Sequence, residues 1–246
     1  MGSGNSNSGG GGGGGGGGAP TQNSPGGPPE KLKNIDNSPL SEVDADVKPG
    51  GVLTGPGVKA EQLSPQDAAS ISAYTGMQVP DGERFAGLNA EKVNRSLYDP
   101  QGFVNKLKSQ GRTPSEIDDL VKRAGQYERE LNRSLSKLRS YEGEVYRTID
   151  DAGGSIADQF VPGQTVSMKG FTSTSRSTNP SYMPFAKAKS GKTRFVIKSK
   201  TGKSIEKVSE YAEEREVLFG TKAKFSVRSN TYNEARGTRD IYLEEI

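Results

Sequence analysis

The chain has 246 residues, a formal net charge of +3 at pH 7, and neither cysteine nor histidine. Those two absences exclude disulfides, zinc fingers, cysteine nucleophiles, Ser-His-Asp triads and histidine-based metal sites. Any chemistry must run on carboxylates, arginine and lysine, hydroxyls or backbone dipoles. The basic residues are interleaved with acidic ones, a mild balance that suits a phosphate-bearing small molecule better than a nucleic-acid backbone.

Residues 1–57 are dominated by Gly, Ser, Asn, Pro and Asp, with unbroken glycine from Gly9 to Gly18. Such a segment cannot bury enough apolar surface to offset its ordering entropy, and it reads as a disordered tail or linker, either a native tether or an appended spacer. It lacks the form of a secretory signal, and no apolar run is long enough to span a membrane, so export would require a non-Sec route. Residues 58–246 have the size of one compact domain.

That domain opens with helices. Ser64-Pro65-Gln66-Asp67 combines a capping hydroxyl, a proline in the first turn and an acid near the N-terminal dipole. The helix should carry Ala68, Ala69 and Ile71 and end near Tyr74-Thr75-Gly76. Asn89 caps a short second helix through Val93 and Leu97. Thr113-Pro114-Ser115-Glu116 is a capping box opening a long stripe of Ile117, Leu120, Val121, Ala124, Leu131, Leu135 and Leu138, which can split in two at Gly125. After Tyr141 the texture turns to strands: Glu144 to Ile149, Thr165 to Ser173, Arg194 to Ile197, Glu214 to Phe219, Ala223 to Arg228 and Asp240 to Glu245, with a helical turn near Pro184 to Ala188. Helices first and a mostly antiparallel sheet after them make an α+β plan.

Three strand-borne signals carry chemistry. Arg147 stands inside the apolar strand Val145-Tyr146-Arg147-Thr148. A hydroxyl-rich strand follows at Gly170-Phe171-Thr172-Ser173-Thr174-Ser175. The third is Glu214 and Glu216, within Tyr211 to Phe219. Read as one strand, Glu214 to Phe219 projects both glutamates to one face and Arg215 and Val217 to the other. Two adjacent carboxylates repel, a cost tolerated mainly where the pair has work to do. The bland alternatives are an edge-strand charge for Arg147, a solvated face for the hydroxyls and a solvated edge pair for the glutamates.

In that order and at that spacing the three signals resemble the bacterial arginine-specific mono-ADP-ribosyltransferases, the clade named for its Arg, Ser and Glu motifs. The clade includes actin-modifying binary toxins and type VI and Rhs-type effectors. The resemblance covers Leu63 to Ile246, and Ile71-Ser72-Ala73-Tyr74-Thr75-Gly76 and Val93-Asn94-Arg95-Ser96-Leu97 echo the helical region ahead of the family's catalytic sheet. It implies N-terminal helices packed on a mostly antiparallel β-core with an NAD cleft. NAD is the implied co-substrate, with no metal, and ADP-ribose passes to an exposed arginine of an acceptor protein as nicotinamide leaves.

By the same resemblance, Glu216 stabilises the oxocarbenium-like transition state, Arg147 holds the NAD phosphates and Ser173 orients Glu216. Phe185 lies against nicotinamide. Glu214 pairs with the incoming guanidinium and helps deprotonate it, and Tyr211 is the aromatic of the loop that recognises the target. Thr174 and Ser175 are structural. Implied too are a toxin or effector acting in the cytoplasm of a target cell, and an immunity protein in its producer. The chain departs from the actin-modifying toxins at Ala188, where they carry Arg, and at Gly170, where they carry Asn; both leave the actin target open. The rival readings are a non-enzymatic interaction module, an NAD hydrolase and a transferase acting on nucleic acid.

Overall fold

The structure is a computed structural model that describes residues 51–76, 85–151, 153–177 and 192–246. The glycine-rich tail up to residue 50 lies outside the described residues, as do Phe185, Lys187, Ala188 and the turn expected at Pro184 to Ala188. The first described element is a short strand, β1 (Val52–Thr54), which lies on the N-terminal side of the boundary at residue 57 and pairs with Glu142, Tyr141 and Ser140.

Four helices follow. In α1 (Pro65–Thr75) the Ser64 hydroxyl accepts from the Asp67 N–H, and in α2 (Ala90–Tyr98) the Asn89 side chain accepts from the Lys92 N–H, as their capping patterns demand. The next helix, α3 (Pro100–Ser109), is absent from the sequence reading, although Asp99-Pro100 repeats the cap-then-proline signal and the Asp99 side chain accepts from the Gly102 N–H. The last, α4 (Pro114–Ser136), closes its capping box between Thr113 and Glu116 and runs unbroken through Gly125. Asp67 ties the first helix to the last: it is buried and accepts from Lys137 Nζ at 2.6 Å and Ser134 Oγ at 3.0 Å. These bonds hold its pKa down, to about 2.

The strands are β2 (Ser140–Asp150), β3 (Thr165–Met168), β4 (Thr172–Ser175), β5 (Lys192–Ser199), β6 (Lys203–Ser204), β7 (Glu216–Phe219), β8 (Ala223–Asn233) and β9 (Thr238–Glu245). They run in the order β3-β8-β9-β5-β2-β4-β7-β6, with β1 beside β2. Every pairing is antiparallel except β5 with β9. The continuous strand expected from Thr165 to Ser173 is two strands in different parts of the sheet, separated at Lys169-Gly170-Phe171.

The two layers meet on β4 and β7. Leu218 and Phe171 join the helical core of Ile71, Tyr74, Val93, Phe103 and Leu131. Val217 and Phe219 instead join a second core with Val145, Phe195, Phe225 and Ile241. Strand alternation therefore puts Glu216 on the side of Leu218, toward the helices. Asn94 of α2 fixes the approach: its Oδ1 accepts from the Phe171 N–H at 2.8 Å, and its Nδ2 donates to Phe171 O at 3.2 Å and Tyr74 Oη at 3.0 Å. Gly170 permits it, because a Cβ there would lie 2.5 Å from Asn94 Oδ1 and 2.6 Å from Tyr98 Cε2. A Gly170→Ala variant is thus expected to lose about 1–3 kcal/mol of stability by overpacking this contact. Urea unfolding checks this, and an unchanged midpoint would show that the helix has room to move.

Candidate active site

Arg147 sits in the middle of β2, between β5 and β4, and not on an edge. It is buried, and its Nη1 donates to the Ser173 carbonyl at 2.7 Å. Burial presses the guanidinium pKa down, opposed by Tyr74, Tyr98 and Glu216. One N–H is spent on that carbonyl, and the planar fork has others to offer an anion.

All four residues of β4 are buried, so the hydroxyl string is no solvated face. The register sets Ser173 opposite Leu218 and Ser175 opposite Glu216, which aligns Ser173, Ser175 and Glu216 on one side. Glu216 is 5% exposed, and among the described residues its Oε1 has no hydrogen-bond partner. Burial raises its pKa to about 7 against the lowering influence of the Ser173 hydroxyl and Arg147. A buried carboxylate with one bare oxygen costs folding energy, and such groups cluster at functional sites.

Glu214 stands elsewhere than the strand reading put it. Ala212–Glu214 form a 3-10 turn, and Arg215 takes a left-handed conformation (φ 49°, ψ 46°) before β7 begins at Glu216. Alternation between faces stops at that kink, so the shared-face argument for the two glutamates fails. A turn brings them together: burial, then the nearby Glu216 and Glu213 carboxylates, raise the Glu214 pKa to about 9. The turn is held from β4, since Ser175 Oγ donates to Glu214 O at 2.7 Å and the Arg176 N–H to Arg215 O at 3.1 Å. Thr174 Oγ1 likewise donates to Val217 O at 2.6 Å. Tyr211 is buried and immediately precedes this turn, its carbonyl accepting from the Glu214 N–H at 3.1 Å.

Two residues quoted in the sequence only as parts of longer segments belong to the site. Tyr74 is fully buried beside Ser173 and Glu216, its pKa raised by burial and by the Glu216 charge, with Phe171 edge-on at 5.4 Å. Because its oxygen accepts from Asn94, its O–H is free to donate toward that pair. Asn94 itself is completely buried within α2. An amide on the stripe between Val93 and Leu97 is a legible signal, since such a group must be paired once buried. Phe185 lies outside the described residues. Among them, no group of three or more His, Cys, Asp or Glu is placed to hold a metal, and no helix is long and apolar enough to cross a membrane.

The sequence profile of the ADP-ribosyltransferase exoenzyme family matches residues 58–246. A 115-residue stretch is 35% identical to Mav of Mycobacterium avium (strain 104), described as an NAD(+)–arginine ADP-ribosyltransferase, covering 47% of this chain and 14% of that protein. A 112-residue stretch is 35% identical to the NAD(+)–protein-arginine ADP-ribosyltransferase Tre1 of Serratia proteamaculans (strain 568), covering 46% and 22%. The aligned stretches thus span well under a third of either relative. The fold is similar to that of Vis, an ADP-ribosyltransferase toxin of Vibrio splendidus. In its structure with agmatine the TM-score is 0.54 at 18% identity, over 86% of this chain and 88% of that one.

The burial of Glu216 has a consequence for stability. Below pH 4.5, its ordinary pKa, the carboxyl is neutral folded or unfolded; between there and about 7 the unfolded chain ionises while the folded one resists. The fold therefore loses stability as pH rises through that window. Glu216→Gln is expected to raise the melting temperature at pH 8, by up to about 3 kcal/mol in stability, and to change little at pH 4.5. Melting curves at the two pH values check it; an equal shift at both would show the carboxyl is not dry.

Proposed function

The chain belongs to the ADP-ribosyltransferase exoenzyme family, and from that premise we propose that it cleaves NAD and transfers ADP-ribose to an arginine guanidinium of a target protein. The observation that carries the reading is the dry Glu216 carboxylate, with one bare oxygen, facing Tyr74 and Ser173 beside Arg147. In this reaction the bond between nicotinamide and ribose breaks and nicotinamide leaves with the electron pair. The ribose carbon becomes cation-like, and a fixed anion in a low-dielectric cleft stabilises that charge best. Glu216 supplies the anion. Arg147 offers its remaining N–H groups to the NAD phosphates, and Ser173 and Tyr74 orient the carboxylate. Phe185 is proposed to lie against the nicotinamide ring.

Glu214 then handles the acceptor. Its raised pKa makes it a stronger base, and the approach of a cationic guanidinium favours its charged form. The guanidinium nitrogen attacks the ribose carbon, and its proton passes to Glu214 and on to water. The names of Mav and Tre1 and the agmatine in the Vis structure support arginine as the acceptor. The toxin name of Vis supports the reading of a bacterial toxin or effector, which we place at work in the cytoplasm of a target cell. Tyr211, immediately ahead of the turn, contributes to recognition by shaping the loop, and an immunity protein would guard a producer that competes with its kin.

Glu216→Ala is expected to abolish nicotinamide release and transfer to agmatine alike, by about 10³-fold or more. Glu214→Ala should cut transfer about a hundredfold and leave much of the NAD cleavage. Radiolabelled NAD with and without agmatine measures both, and intact transfer in the Glu214 variant would end its assignment as the acceptor carboxylate. Because cleavage needs Glu216 ionised, kcat/KM for NAD should rise with pH through about 7 and then level. A flat profile from pH 5.5 to 8.5 would contradict that.

A further inference from the structure

Helix α1 ends on two neighbouring residues that face different parts of the cleft. Tyr74 reaches the Ser173–Glu216 pair. Thr75, buried like its neighbour, turns to the loop that carries Glu214. Its hydroxyl donates to Ser72 O at 3.0 Å and accepts the Glu210 N–H at 3.1 Å. Gly76 follows directly, and the exposed Glu210 side chain passes over it, its Oε1 2.8 Å from where a Cβ would stand. At its far end the same loop hangs from Ser175, which holds the Glu214 carbonyl. Two hydroxyls, one on the helix and one on β4, thus suspend the segment between Glu210 and Glu214.

We propose that Thr75 is a positioning residue for the acceptor. By pinning the Glu210 N–H to the end of α1, it sets where Glu214 stands relative to Glu216, and so governs whether the ribose carbon is taken by a guanidinium or by water. With a guanidinium a carbon–nitrogen bond forms and the proton leaves through Glu214; with water a carbon–oxygen bond forms and the product is free ADP-ribose. Both outcomes share the same nicotinamide departure, which Thr75 does not touch. The proposal rests on the reading of Glu214 as the acceptor carboxylate. A merely structural threonine would affect both outcomes together, whereas a loop anchor shifts the ratio between them.

The test uses the full chain with NAD and agmatine, and compares Thr75→Val, Thr75→Ala, Thr75→Ser and Gly76→Ala with the parent, with melting curves on each. Thr75→Val keeps the shape and removes the hydroxyl. It is expected to lower the ratio of ADP-ribosyl-agmatine to free ADP-ribose about tenfold, chiefly through a higher KM for agmatine, with nicotinamide release in the absence of acceptor changed less than about twofold. Thr75→Ser should restore the ratio. Gly76→Ala meets only the mobile tip of Glu210 and should leave the ratio unchanged, while Thr75→Ala, which removes the same hydroxyl without adding a methyl to the buried site, should shift it as valine does and serves if the valine variant does not fold. An unchanged ratio in the valine and alanine variants of Thr75, or a parallel loss of both products, overturns the role of Thr75. If the parent cleaves NAD but modifies neither agmatine nor any protein arginine, the reading of Glu214 fails first, and Thr75 falls with it.

Discussion

A carboxylate held almost dry, with one oxygen left bare, is the constraint to which the rest of this domain answers. Glu216 opens β7 on the side of Leu218, where the helical layer packs. The buried Tyr74 stands beside it, and α2 closes on the residue before β4 through Asn94. Burial raises the Glu216 pKa and strengthens any charge interaction made there. The energy lost in folding around an unsatisfied carboxylate is what the proposed reaction would draw on at its cationic transition state.

The helical layer is accordingly part of the site. Asn94 clamps both backbone groups of Phe171 and leaves the Tyr74 oxygen with its hydrogen directed elsewhere. Gly170 allows that clamp by having no side chain. Below the clamp, the buried Asp67 ties α1 to α4 through Lys137 and Ser134, so the helix bearing Tyr74 and Thr75 is anchored at its start as well as its end. The cleft is built by two layers pulled together through a few fully bonded polar groups. Each such group is costly to break once buried.

Much of this was legible residue by residue. Three capping patterns place three helices, and the fourth carries the same chemistry at Asp99-Pro100 without having been read from it. Arg147 and the Ser-Thr-Ser string lie in strands as expected. The alternation rule failed at Glu214, because it presumes extended backbone, and Arg215 is left-handed. Nothing in Arg215's identity announces that conformation. It follows from the turn that Ser175 and the Arg176 N–H hold from the neighbouring strand. Thr165 to Ser173 likewise reads as one strand, and only the packed structure shows the chain leaving one strand before Gly170, which lies close against Asn94 and Tyr98, and entering the next after it.

By itself the sequence determined the chemistry that was available: no thiol, no imidazole, an arginine, a hydroxyl string and two glutamates in fixed order. It also determined the local elements, because caps and periodicity act over a few residues. Only the tertiary structure decided which of these groups meet. It decided that Glu216 is dry, that Glu214 reaches it around a kink, and that Tyr74, Asn94 and Thr75 serve the cleft from another layer. Those outcomes depend on contacts between residues some twenty to more than a hundred and thirty positions apart. Burial is a property of the packed whole, so no local pattern can state it in advance.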